Sequence, residues 1–137
     1  MRSFQILPHT ADIRLRVEAD SLKELFLAAL EAMNQILKKD FSLPSAPTVQ
    51  ETISLSALDT TSLLIDFLSR LLTLSYANQT IFSQAEFSQL KPTSLRANLW
   101  GTKVEKFTED IKAVTYYEAN VVKNKKGNFE TLIVFDI

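Results

Sequence analysis

The order of apolar and polar positions divides the chain into elements. Phe4 to Leu7 reads as a short strand that Pro8 stops, since proline has no N–H to give to a ladder. Ile13, Leu15, Val17 and Ala19 then alternate with Arg14, Arg16 and Glu18. That period of two predicts a strand with one buried face. Asp20 and Ser21 end it. Ser21 and Glu24 stand at the spacing of a capping box, whose two side chains satisfy the free N–H groups that open a helix. Leu22, Leu25, Phe26, Ala29, Leu30, Met33, Ile36 and Leu37 follow at helical spacing. They predict a helix to about Lys38 or Lys39, basic residues suited to its negative end. Asp40 to Pro47 reads as a loop with two prolines.

The pattern then restarts. Val49, Ile53, Leu55 and Ala57 suggest a second long strand. Asp59, Thr60 or Thr61 caps a second helix with Leu63, Leu64, Phe67, Leu68, Leu71 and Leu72 on its apolar side. After Asn78 the candidates are all strands: Ile81 to Leu90, Leu95 to Trp100, Ala113 to Val122, and Phe129 to Phe135. A turn containing Lys123, Lys125, Lys126 and Gly127 joins the last two. The expectation is a single α+β domain over 1–137, two helices packed on a largely antiparallel β-sheet system. Trp100 and the phenylalanines of the helices read as core.

Composition narrows the chemistry. The chain has no cysteine, which removes disulfides, thiolate zinc sites and cysteine nucleophiles together. It has two glycines, too few for a glycine-rich phosphate loop. With 15 basic and 16 acidic residues the formal net charge is -1, so no basic excess drives binding to nucleic acid. No stretch approaches the roughly 20 apolar residues of a membrane span. A cytoplasmic protein is the expectation.

His9 is the sole histidine, and nitrogen or sulfur partners for a zinc ion are missing. Two aspartates are more informative. Asp12 opens the alternating strand. Asp136 closes the apolar run Leu132-Ile133-Val134-Phe135, with Ile137 and a terminal carboxylate after it. Adjacent carboxylates repel unless a cation or a basic side chain relieves them. Oxygen donors without sulfur suit magnesium, calcium or manganese. Composition and spacing alone favour a simpler reading, a frayed terminus with a solvated aspartate.

Four motifs in order change that balance. His9-Thr10-Ala11-Asp12 before an alternating strand resembles the opening signature of the archease family. Leu63 to Leu68 is similar to its leucine-rich segment, with Phe67 where tryptophan is frequent. Ile111-Lys112-Ala113-Val114-Thr115-Tyr116 resembles its lysine–alanine–x–threonine strand, and Phe135-Asp136-Ile137 resembles its ending. The resemblance implies a divalent metal (calcium, magnesium or manganese) on Asp12, Asp136 and the carboxylate of Ile137, with Lys112 as a further functional position. It implies an accessory protein, not an enzyme, that promotes guanylylation and multiple turnover of an RtcB-type RNA ligase in tRNA splicing and RNA repair. The ligase would use GTP, and RNA would be met only through it. A tRNA methyltransferase is the alternative partner that the resemblance implies. An autonomous metal-dependent enzyme is disfavoured, because no general base or nucleophile accompanies the candidate ligands. His9 would orient Asp12 or bond backbone at the strand entry. Lys112 would meet a site carboxylate or a phosphate, or remain solvated. Two departures stand out: Tyr117 where histidine is frequent, and a shorter 101–110 segment.

Overall fold

A computed structural model describes residues 1–7, 11–42 and 46–137. The elements are β1 (Arg2–Leu7), β2 (Asp12–Ala19), α1 (Leu22–Leu37), β3 (Val49–Ser56), α2 (Thr60–Asn78), β4 (Thr80–Lys91), β5 (Ser94–Lys103), β6 (Ala113–Thr115), β7 (Val122–Lys123) and β8 (Phe129–Asp136). They build two antiparallel sheets. The first has the order β1-β2-β8-β6, with β7 also on β8; the second has the order β3-β5-β4. The expected two helices on antiparallel sheets are what the chain forms.

The helices lie between the sheets. α1 packs on β1, β2 and β8 of the first and on β4 of the second; α2 packs on β3 and β4 and on β6. Period two decides which side of each strand they cover. On β2, Leu15, Val17 and Ala19 are buried while Arg14, Arg16 and Glu18 face outward. β8 is paired on both edges and reads as a nearly continuous apolar run, with Ile133, Val134 and Phe135 buried. Phe26 of α1, Phe67 of α2 and Phe87 of β4 meet at ring-centroid distances of 5.5, 5.6 and 6.1 Å. This aromatic triangle joins both helices to the second sheet.

The helix ends follow the sequence, with one substitution of partner. The Ser21 hydroxyl accepts the Glu24 N–H at 3.2 Å, half of a capping box. The Glu24 carboxylate turns instead to Arg2, which also holds Glu31 at 2.7 Å. A guanidinium is a stronger partner for a carboxylate than one amide. α1 stops at Leu37 with Lys38 extended as its cap, so no basic residue lies in the last turn. Asp59 is the cap of α2: its carboxylate accepts the Ser62 N–H at 2.7 Å, which holds its carboxyl below the usual carboxylate range.

Two expectations need correction. Ala113 to Val122 is not one strand. It is β6 and β7, separated by a turn in which the Ala119 N–H reaches the Tyr116 carbonyl at 3.1 Å and Glu118 has φ 64. Side-chain hydroxyls hold this stretch: the Asn120 N–H donates to Thr131 Oγ1 and the Val121 N–H to Thr61 Oγ1, both at 2.9 Å. Trp100 is not core either. It is half-buried, alternates away from the buried Leu95, Ala97 and Leu99, pairs with Gln84 on β4 and lines a groove with Leu30 and Glu31 of α1. The residue after it is the tighter fit. A Cβ on Gly101 would lie 2.6 Å from both the Ile81 carbonyl oxygen and Thr80 Cγ2. The β4 ladder shifts register beside it, between Phe82 and Gln84. Among the described residues, no helix is long and apolar enough to cross a membrane.

Candidate metal centre

The β2–β8 ladder runs from Ala19 opposite Phe129 to Asp12 opposite Asp136. The first residue of one strand therefore faces the last residue of the other. Directly opposed residues share a face of the sheet, with Cβ atoms about 4.5–5.5 Å apart. Asp12 is half-buried there and Asp136 is exposed. Ile13 and Ile137 alternate to the other side and pack against the core, which holds this sheet end in place.

β6 completes the corner. Ala113 pairs with Asp136 on the edge away from Asp12, and the Lys112 N–H donates to the Asp136 carbonyl at 2.7 Å. The Lys112 side chain is exposed. β6 is short, and its placement comes from outside the sheet. The Tyr76 hydroxyl, from α2, accepts the Ile111 N–H at 2.7 Å and donates to the Ile111 carbonyl at 2.9 Å. Burial is the first cause of the upward shift of the Tyr76 phenol above its ordinary value. Upstream, the Val104 N–H bonds the Gln79 carbonyl at 2.9 Å and the Thr108 N–H bonds the Leu37 carbonyl at 2.7 Å. The short connection from β5 to β6 is thus tied to the C-terminal ends of both helices.

The outer face next to the acid pair is charged in rows. Arg14, two residues from Asp12 on the same face, is ion-paired with Glu118. Arg16 in the following row lies 3.6 Å from Glu130. Glu18 accepts the side-chain amides of Asn128 and Asn124 at 2.9 and 2.8 Å, and these bonds lower its carboxyl from the ordinary value. Tyr116 donates to Asp66, whose acceptance of the proton raises the phenol from its ordinary value.

The fold therefore brings together four of the residues singled out in the sequence: Asp12, Asp136, Lys112 and Ile137. His9 lies outside the described residues. Among the described residues, no group of three or more histidine, cysteine or acidic side chains is placed to hold a metal. Among the described residues, the corner offers two side-chain carboxylates together with main-chain oxygens. An all-oxygen set of this kind suits a hard cation. A groove of about 560 Å³, lined by Arg2, Glu31, Gln84 and Trp100, contains none of these residues. Sequence reasoning missed Arg14, Glu118 and Tyr76. For Arg14 the signal was present, since it shares the face of Asp12 by alternation; for the other two there was none, because their partners are distant in the chain.

Comparison with known proteins agrees with this architecture. The profile of the Archease protein family (MTH1598/TM1083) matches residues 4–137. The protein archease of Methanosarcina barkeri is 32% identical, over 99% of this chain and 97% of that one. The protein archease of Pyrococcus abyssi is 29% identical, with 100% of both chains covered. The solution structure of Methanobacterium thermoautotrophicum protein 1598 superposes with a TM-score of 0.78 at 22% identity, covering 98% of each chain. The crystal structure of an archease from Thermotoga maritima, described as a possible chaperone, gives 0.66 at 19% identity, covering 96% of this chain and 94% of that one.

Proposed function

The chain belongs to the archease family, and on that premise we propose that it is a non-catalytic accessory protein that binds a divalent ion and activates an RtcB-type RNA ligase. The observation that carries the reading is the register of Asp12 opposite Asp136 at the end of the β2–β8 ladder. Two carboxylates held face to face at a sheet corner repel each other unless a cation or a basic side chain relieves them. In this proposal they are the side-chain ligands of calcium, magnesium or manganese, and Ile137 supplies the third protein donor. The ion would contribute a fixed positive charge for phosphate oxygens when bound.

The chain's own residues would hold and present that charge. The Lys112 N–H fixes the Asp136 main chain, and in this proposal its exposed ammonium serves as a flexible point charge toward the ligase or a phosphate. Ile13 and Ile137 anchor the corner from the core side. A formal net charge of -1 leaves little counterion release to drive RNA binding by the protein alone. RNA and GTP are accordingly assigned to the ligase, whose guanylylation and repeated turnover the accessory protein would promote.

The test joins calorimetry to kinetics. Calcium, magnesium and manganese are titrated into wild type, Asp12→Asn and Asp136→Asn, and each protein is added below stoichiometry to ligase, GTP and RNA ends. Binding and multiple-turnover joining should both be lost in the variants. A wild-type protein that leaves ligase turnover unchanged would overturn the partner; equal ion affinity in all three would overturn the site.

A further inference from the structure

We infer that Arg14 sets how tightly the Asp12–Asp136 corner holds a cation, and that Glu118 keeps Arg14 off those carboxylates. The inference rests on the reading of that corner as an ion site and adds a charge regulator to it.

The placement comes first. Arg14 lies on the outer face of β2, one side-chain row from Asp12 and diagonal to Asp136. Rows on one face of a strand are about 6.5–7 Å apart, within reach of an extended guanidinium. The directly opposed neighbours of Arg14 are Leu7 on β1 and Val134 on β8, and neither side chain can accept a hydrogen bond. The next row on β2 carries Arg16, a like charge paired with Glu130 diagonally across the ladder. Among the described residues, this leaves Arg14 two sources of negative charge within reach: Glu118, and the acid pair one row away.

The second observation is the backbone of Glu118. Its φ of 64 lies in the left-handed region, where an L-residue with a long side chain is uncommon and glycine or asparagine is favoured. The backbone alone does not select glutamate there. What glutamate supplies is the carboxylate that meets Arg14. The turn that carries it is not free to wander. Thr131 and Thr61 hold the two residues after Ala119, and Tyr116 bonds Asp66 before it. Glu118 is therefore presented to Arg14 from a fixed position. With side chains 30% and 32% exposed, the pair is neither fully solvated nor sealed, so its charge is felt locally and is partly screened by salt.

Without Glu118, the guanidinium's remaining acidic partners are the carboxylates of the ion site. It would then compete with the cation for the same oxygens. Without Arg14, the corner loses a competing positive charge.

The experiment measures manganese and calcium affinity, with melting temperature, for wild type, Arg14→Gln, Glu118→Gln, the double variant and Glu118→Gly. Arg14→Gln should tighten binding about three- to tenfold and Glu118→Gln should weaken it by a similar factor. In the Arg14→Gln background the second substitution should change affinity less than about twofold. Glu118→Gly removes the left-handed penalty, so it should melt no lower than wild type yet bind as weakly as Glu118→Gln. Unchanged or weaker binding by Arg14→Gln overturns the inference. So does a Glu118→Gln effect of equal size in both backgrounds, which would be simple charge addition with no restraint, and so do affinities that merely follow melting temperature. A wild-type protein that binds neither ion overturns the site reading itself, and this inference with it.

Discussion

Replacing Tyr76 with phenylalanine deletes one oxygen, and the structure fixes what that oxygen does. The hydroxyl accepts the Ile111 N–H at 2.7 Å and donates to the Ile111 carbonyl at 2.9 Å. Ile111 is 0% exposed, so rotation toward water does not readily replace either bond. The ring would keep its edge-on contact with Phe107, 5.2 Å between centroids, so packing is largely conserved. Two net hydrogen bonds at about 1 kcal/mol each, plus part of the 1–3 kcal/mol for a buried group left unpaired, give a loss of roughly 2–4 kcal/mol. For a domain of this size that is a fall in melting temperature on the order of 6–15 °C. Urea unfolding should show a lower midpoint at an unchanged slope. Hydrogen exchange should localise the effect. The Lys112 amide and the β6 amides should exchange faster, while the β2–β8 ladder keeps its protection. A loss below about 0.5 kcal/mol, or exchange that rises uniformly across both sheets, would refute the view that this phenol places β6 against Asp136.

Gly101→Ala should cost about 1–3 kcal/mol by denaturant unfolding, because the new methyl would sit 2.6 Å from a main-chain oxygen at a register shift; a stability equal to wild type would show that β4 yields freely there. Asp12→Asn and Asp136→Asn should abolish divalent-ion binding with melting temperatures within a few degrees of wild type, as read by calorimetry beside thermal melts. The phenols of Tyr76 and Tyr116 are raised, the first mainly by burial and the second mainly by its bond to Asp66. The folded state then retains protons that the unfolded chain releases, so their contribution is intact below about pH 10 and falls as pH rises through the folded values. Unfolding followed from pH 8 to 11 should show that decline, shallower in Tyr76→Phe; a flat profile would contradict it.

Much of the fold was legible because it rests on local periodicities. The alternation Leu15, Val17, Ala19 identifies a one-faced strand whatever its neighbour is, and Asp59 announces a helix start by its own chemistry. Misreadings arose where a distant partner outweighed the local signal. Ala113 to Val122 carries enough β-branched and aromatic residues to read as one strand, yet Thr61 and Thr131 capture its second half. The Glu24 carboxylate completes a capping box on paper, but Arg2, on another element, is the better partner. Trp100 reads as core by size alone, while β5 alternation puts Leu95, Ala97, Leu99 and Gly101 inside and leaves Trp100 out.

The candidate site divides the same way. Asp12 and Asp136 stand far apart in the chain, and only the ladder register makes them opposite. Periodicity could say that Asp12 and Arg14 share a face, but not what Arg14 meets. The resolving feature is a residue that breaks a local rule. Glutamate at a left-handed position is a local mismatch, and mismatches persist where something else compensates them. Glu118 immediately follows Tyr117, one of the two departures from the pattern that the family resemblance implies. An altered turn can present a new charge without disturbing the acid pair, since Lys112 and β6 fix Asp136 from the other side through main-chain bonds. The acid pair is thereby set by ladder register, whereas the charge beside it depends on a turn one row away. Variation at 117–118 should therefore change ion affinity among related chains more readily than it changes the geometry of the corner.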